Sequence, residues 1–195
     1  MIRRAVLKRE TSETSIEAEL VLDGNGELQG TTGIGFFDHM LNAFVKHGLF
    51  NLCVSVTGDL YIDGHHSIED MGIVLGSLFK QGLGDKKAIK RFASNIIPLD
   101  DSLMLCAIDL GGRPYLVFDV ELPFGMVGDM DIQLAEEFFR AFVNNAGINL
   151  HFKLLYGKNV HHIIEAMFKA FGKTLDESSR IDERVKGIPS TKGVV

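Results

Sequence analysis

The pentapeptide His65-His66-Ser67-Ile68-Glu69 returns later in the chain as His161-His162-Ile163-Ile164-Glu165, so the fold must satisfy one local pattern twice. Four of the seven histidines lie in these two doublets. A shift of 96 residues that aligns them also places Met71 on Met167 and Gly76 on Gly172, and upstream a shift of 98 places Ala43-Phe44-Val45 on Ala141-Phe142-Val143 and Asn51-Leu52 on Asn149-Leu150. Matches in constant order at a near-constant offset mark an internal duplication, with a two-residue gap before the doublets.

Each half reads as strands, a helix, a strand and a second helix. Strands are expected over 5–9 and 16–22, the latter alternating and closed by the turn signal Asp23-Gly24-Asn25-Gly26. A helix follows over 37–46, a strand over 52–56, and a helix over 67–83, where Ile68, Met71, Val74, Leu75, Leu78 and Phe79 recur at helical spacing. In the second half, strands are expected over 103–110 and 116–120, with Pro123 closing the pair, then helix 132–144, strand 148–155 and helix 162–178. The pattern is α+β: two similar β-sheet/helix half-domains, residues 1–88 and 89–195, packed as one layered unit with the seam near 84–91.

Composition excludes several classes. Hydrophobic content of 46% and charged content of 24% are ordinary for a globular protein. A formal charge of -6 and a pI near 5.6 argue against a nucleic-acid surface, which needs clustered positive charge. Any anionic ligand must be met by local cations. Cys53 and Cys106 are too few for a disulfide framework or a four-cysteine metal site and read as buried thiols. No apolar run reaches the ~18 residues of a membrane span, and the start, Met1-Ile2-Arg3-Arg4-Ala5, lacks a secretory apolar core, so a cytoplasmic protein without membrane partners is expected.

The doublets point to metal chemistry. A glutamate four residues after a histidine shares its helix face, whereas adjacent residues point about 100° apart, so one doublet is suited to feed two different ions. Each half thus offers three ligands. His39 supplies a fourth near the start of the preceding helix, and the 98-residue shift sets it on Glu137, another metal-binding type. His47, at a helix end where an imidazolium suits the dipole, and His151, within a strand, read as structural. Imidazole and carboxylate without thiolate suit Mn, Fe, Ni, Co or Zn, and the glutamates favour a hard ion such as manganese.

The chain resembles the imidazoleglycerol-phosphate dehydratase family along its length. The resemblance rests on Arg9-Glu10-Thr11-Ser12-Glu13-Thr14, Phe37-Asp38-His39-Met40-Leu41, Gly64-His65-His66-Ser67-Ile68-Glu69-Asp70, Arg91-Phe92, Gly112-Arg113-Pro114-Tyr115, Gly157-Lys158-Asn159-Val160-His161-His162-Ile163-Ile164-Glu165-Ala166 and Pro189-Ser190-Thr191-Lys192-Gly193-Val194. It implies a hydro-lyase of histidine biosynthesis that converts imidazole glycerol phosphate to imidazole acetol phosphate through a metal-bound imidazolate and a diazafulvene-like intermediate. It further implies two manganese ions per active site and a homo-oligomer of trimers, a 24-mer, with sites shared between subunits. His39, His65, His66, Glu69, His161, His162 and Glu165 match the family's ligand positions. Glu137 departs from the pattern, since many relatives carry histidine there. Glu13, rather than Glu10, matches the acid/base position beside the reacting carbons, with the metal-bound Glu165 a second participant. Arg91 and Arg113 match phosphate-binding arginines, and Ser190, Thr191 and Lys192 match a closing phosphate loop. With Glu13, His39, His65 and His161, these residues are expected around the substrate.

Two other functions are compatible with paired metal clips: a two-metal hydrolase acting on a phosphorylated metabolite, and a metal-storage or metal-stapled assembly. Stapling needs no phosphate site, so Arg91, Arg113 and Lys192 weigh against it. Hydrolysis releases phosphate, whereas dehydration retains it.

Overall fold

The computed structural model describes residues 2–193, so Met1, Val195 and the last residue of the closing motif, Val194, lie outside the described residues. The first sheet joins β1 (Arg4–Glu10), β2 (Thr14–Val21), β3 (Glu27–Thr31) and β4 (Asn51–Gly58) in the order β1-β2-β4-β3. In β2, Ile16, Ala18 and Leu20 are buried while Glu17 faces outward, the alternation of a strand with one covered face. Pairing is antiparallel except between β3 and β4, which run parallel. The parallel pair is joined through helix α1 (Gly35–Gly48), as a parallel connection requires. Helix α2 (His65–Leu83) completes the half.

The second sheet is built from β5 (Phe92–Leu99), β6 (Ser102–Asp109), β7 (Tyr115–Asp119) and β10 (Asn149–Tyr156) in the order β5-β6-β10-β7. A short hairpin, β8 (Met126–Val127) with β9 (Met130–Asp131), precedes α3 (Leu134–Ala146), and α4 (Val160–Ser179) follows β10. Ladder registers repeat between halves: Arg4↔Val21 recurs as Phe92↔Asp109, and Glu27↔Asn51 as Tyr115↔Asn149. The leading strands therefore correspond at an offset of 88 and the later elements at 98, the hairpin segment filling the difference. The two-residue gap falls in the loop before α2, which is longer than the loop before α4.

The structure corrects several of these expectations. Strands β3 and β5 were not expected, because Glu27-Leu28-Gln29-Gly30-Thr31 shows no apolar alternation and Pro98 weakens the strand signal in β5. Both are sheet edges, where a missing donor or a polar face is tolerated. Residues 103–110 and 116–120 do not pair with each other, since β10 lies between β6 and β7. Cys53 is exposed, because Leu52 and Val54 take the covered face of β4. Cys106 is buried as expected, and burial pushes its thiol up to about 12.

The helices of each half cover one face of their own sheet and meet the helices of the other half, α1 against α4 and α2 against α3. The result is a β-α-α-β stack. Gly76 and Gly172, matched in sequence, have the same structural reason: a Cβ on Gly76 would lie 2.5 Å from the Phe142 carbonyl oxygen, and one on Gly172 would meet that of Phe44. Phe44 and Phe142 are themselves a repeat pair. Between the layers Phe139 is fully buried against Phe138, Phe152, Phe168 and Phe171.

The start of α1 lacks a local side-chain cap and is capped from the other half: Gly35 and Phe36 donate their N–H groups to Asp129, at 2.6 and 2.9 Å. These bonds, that from Phe36 foremost, hold the Asp129 carboxyl below its ordinary range, so the stabilisation is present at neutral pH, begins to fall as pH enters that range and is lost as pH drops through the lowered folded-state value. Asp129→Ala is expected to lower stability by about 1 kcal/mol, the usual worth of an N-cap, read as a fall in the thermal midpoint at pH 7.

Candidate active site at the helix starts

Helices α1 and α4 run side by side with their starts together, His39 facing His161 and Gly48 facing Gly172. Helices α2 and α3 do the same, with His65 and Glu137 lining one cavity of about 500 Å³ that also contains Asp129 and Leu134. Local capping places each doublet in a first turn. Asp63 accepts from the His65 N–H at 2.8 Å, and the Asn159 side chain accepts from the His162 N–H at 3.3 Å. All the doublet rings therefore project where helix dipoles and loop ends meet.

His39, His161 and Glu165 converge, with one donor atom from each lying within 4.8 Å of the others. Glu165 Oε2 lies 3.5 Å from His39 Nε2 and 3.3 Å from His161 Nε2. Two donors bound at right angles to one ion, each at about 2.1 Å, are themselves roughly 3 Å apart, so this spacing and donor set fit a first-row metal. Burial opposes ionisation of Glu165, but the Lys169 ammonium, 2.8 Å from Oε1, and the His39 and His161 rings outweigh it and hold the carboxyl below its ordinary range. The group is thus an anion ready to ligate. Phe36 packs edge-on against both rings, limiting their rotation.

In the other helix pair, His65 Nε2 lies 3.7 Å from Glu69 Oε2, and Glu137 shares the cavity without entering a tight cluster. Within each doublet the ring planes stand at 82° and 76° to one another, and the second histidine takes other partners than the first: His66 meets Asp59 and His162 meets Asp101. His66 Nε2 lies 3.8 Å from Glu13 Oε2. Glu13 is half exposed, on a turn in which Thr11 Oγ1 accepts from the Glu13 and Thr14 N–H groups at 3.1 and 2.9 Å. Thr14 in turn donates to Asp70, which Arg9 holds at 2.9 Å. Glu10 instead lies towards Lys8, on the strand side of the turn.

Arg91 donates to Asp109 at 2.7 Å and to the Pro189 carbonyl at 2.8 Å, so it holds the residue that leads into the 190–192 segment. Within that segment the Lys192 N–H donates to Ser190 Oγ at 3.2 Å, and Thr191 and Lys192 are exposed. Arg113 is exposed on the turn before β7, its carbonyl accepting from Asn149. Among the described residues, Arg91 and Arg113 lie at the opposite end of the second sheet from His162. Arg91 is tied to the last residue of β6 and His162, through Asp101, to the residue before its first, roughly 25 Å apart at the rise of a strand.

Sequence reasoning missed Asp59, Asp101 and Lys169. Asp59 and Asp101 sit in turns, where aspartate is common. Lys169 was legible as the residue one helical turn beyond Glu165. For His47 the expected imidazolium is opposed: packing and the charges of Lys169 and Lys173 lower its proton affinity. His151 is exposed on β10, its ring 6.5 Å from that of Tyr115.

The fold and the site define a duplicated α+β protein in which helices from opposite halves gather imidazoles and carboxylates at one end. Residues 32–175 match the family model described as imidazoleglycerol-phosphate dehydratase. Relatives of that name from Acetivibrio thermocellus and Pelobacter propionicus are 56% and 53% identical, each over 195 residues covering all of both chains. The crystal structure of the Staphylococcus aureus dehydratase superimposes with a TM-score of 0.83 at 37% identity, covering 92% of this chain and 99% of that one. That of the Pyrococcus furiosus protein, in complex with (S)-C348, gives 0.83 at 35%, covering 97% and 100%. The chain belongs to the imidazoleglycerol-phosphate dehydratase family and is a hydro-lyase. Among the described residues, no helix is long and apolar enough to cross a membrane.

Proposed function

We propose that this enzyme dehydrates imidazole glycerol phosphate to imidazole acetol phosphate in histidine biosynthesis, in the cytoplasm, and depends on two manganese ions per active site. The observation that carries the metal reading is the meeting of His39, His161 and Glu165 from opposite halves of the chain. His65, His66, Glu69, His162 and Glu137 complete the proposed ligand set. When bound, the ions supply electron withdrawal from the substrate's imidazole ring, which favours a ring able to take part in elimination.

The chain's own residues account for the rest of the reaction. A hydroxyl leaves the carbon next to the ring, a proton leaves the neighbouring carbon, and the resulting enol becomes the ketone while the phosphate stays attached. Glu13 is the proposed acid/base that moves these protons: it is solvent-accessible, carried on a braced turn, and beside His66. Glu165 is the second candidate, already tied to Lys169. Arg91, Arg113, Ser190, Thr191 and Lys192 grip the phosphate, the planar guanidinium groups suiting its oxygens.

Geometry supports a homo-oligomer, which we place at a 24-mer of trimers with shared sites. Ring and phosphate of the substrate are separated by three carbons with bonds of about 1.5 Å, too short to bridge the doublets and Arg91 of one chain. The phosphate grip of one subunit therefore serves the imidazoles of another. Exposed Tyr61 and Ile62, just before α2, and Phe124, near the hairpin, offer apolar surface at that end.

Manganese-loaded protein incubated with imidazole glycerol phosphate is expected to form ketone without releasing inorganic phosphate, and to lose activity on chelation. Phosphate release without ketone would assign a hydrolase. No ketone with any of Mn, Fe, Co, Ni or Zn would sink the dehydratase reading.

A further inference from the structure

The second histidine of each doublet is held by an aspartate at the same ring nitrogen. His66 Nδ1 lies 2.9 Å from Asp59 Oδ2, and His162 Nδ1 lies 2.7 Å from Asp101 Oδ1. An imidazole that gives its Nδ1 proton to a carboxylate presents the Nε2 lone pair, in a fixed orientation, to whatever lies beyond.

The two aspartates are not repeat equivalents. At the strand offset of 88 the counterpart of Asp101 is Glu13, and at the later offset of 98 the counterpart of Asp59 is Gly157. Glu13 approaches His66 at Nε2 and from 3.8 Å, so it does not hold the ring as Asp101 does. Gly157 has no side chain to offer His162. One ring contact is thus made from different loops in the two halves, Asp59 following β4 and Asp101 lying between β5 and β6. The first half also braces its turn separately, through Thr14, Asp70 and Arg9, whereas in the second half Ser102 replaces Thr14, Ala166 replaces Asp70, and the Ser102 hydroxyl is buried with no partner among the described residues. Asp59 is no simple stabiliser either. Its Oδ1 is buried and unpaired among the described residues, an arrangement that weakens a fold.

We propose that Asp59 and Asp101 are positioning residues that fix His66 and His162 with Nε2 directed at a divalent metal, and that the use of Asp59 in the first half releases Glu13 for proton transfer. The inference rests on the metal reading above.

The test is titration of metal-free, full-length protein with Mn2+, following free ion by its electron paramagnetic resonance, beside the thermal midpoint of the metal-free protein. Asp59→Leu and Asp101→Ala are each expected to weaken Mn2+ binding about 10- to 100-fold, the usual effect of losing a carboxylate behind a ligating histidine. Asp59→Leu is expected to keep or raise the midpoint, because it removes an unpaired buried oxygen. Asp59→Asn and Asp101→Asn retain an acceptor for the Nδ1 proton and are expected to restore most of the affinity. If wild type binds Mn2+ and the leucine and alanine variants bind it as tightly, the inference is overturned alone. If wild type binds no Mn2+, Co2+ or Zn2+, the metal reading falls and the inference with it. Weakened binding that asparagine does not restore, with a lowered midpoint, assigns a structural role and also overturns it.

Discussion

Glu13→Gln is expected to lower kcat by roughly 10²- to 10⁴-fold, the range for removing a positioned general acid/base, while Mn2+ binding and assembly stay at wild-type levels. Glutamine has nearly the shape of glutamate and keeps the turn intact, since the bracing bonds involve the Glu13 N–H, Thr11 and Thr14 and not the Glu13 carboxylate. What it loses is a basic oxygen. The side chain stands 3.8 Å from His66 Nε2 and is half exposed, so no buried partner is stranded by the change and no folding defect is expected. Single-turnover kinetics with metal-saturated protein provide the check. Wild-type turnover would remove Glu13 from the mechanism and leave Glu165 as the residue to examine.

The second large effect concerns the core of the second half, where α3 and α4 pack together over β10. Phe139→Ala is expected to cost about 3–5 kcal/mol, the range for emptying a buried phenylalanine site. Phe139 is fully buried, with ring centroids 4.7 Å from Phe152, 4.9 Å from Phe168 and 5.2 Å from Phe171. These partners lie on β10 and α4, so collapse into the cavity would have to move a strand and the helix that carries the second doublet. A loss of that size is a large share of the roughly 5–15 kcal/mol that stabilises an ordinary domain. The thermal midpoint, compared at one protein concentration, should fall by roughly 6–20 °C. An unchanged midpoint would mean that the neighbouring rings close the gap.

Much of the site was legible from residue type and spacing. The doublets, their glutamates and His39 stand out because a helix brings residues four apart to one face, and because the repeat shows each position twice. Gly76 and Gly172 were visible as a match, though their meaning, close approach to Phe142 and Phe44, was not. The leading strands carry no repeat visible in residue identity. At their offset of 88 they share few residues, since a sheet ladder needs alternation and backbone pairing more than particular side chains. Edge strand β3 lacks even the alternation.

The amino-acid order is sufficient for the duplication, the α+β class, the two doublets and the family, because these depend on periodicity and on residues close together along the chain. It does not say that His39 meets His161 and Glu165 of the opposite half rather than the doublet of its own. That pairing comes from helix packing across the stack. Nor does it separate Arg91 from the doublets by the length of a strand, or give His66 to Asp59 and His162 to Asp101. Such contacts join residues far apart in sequence, and their partners are chosen by the register and layering of the folded chain, which no local pattern encodes.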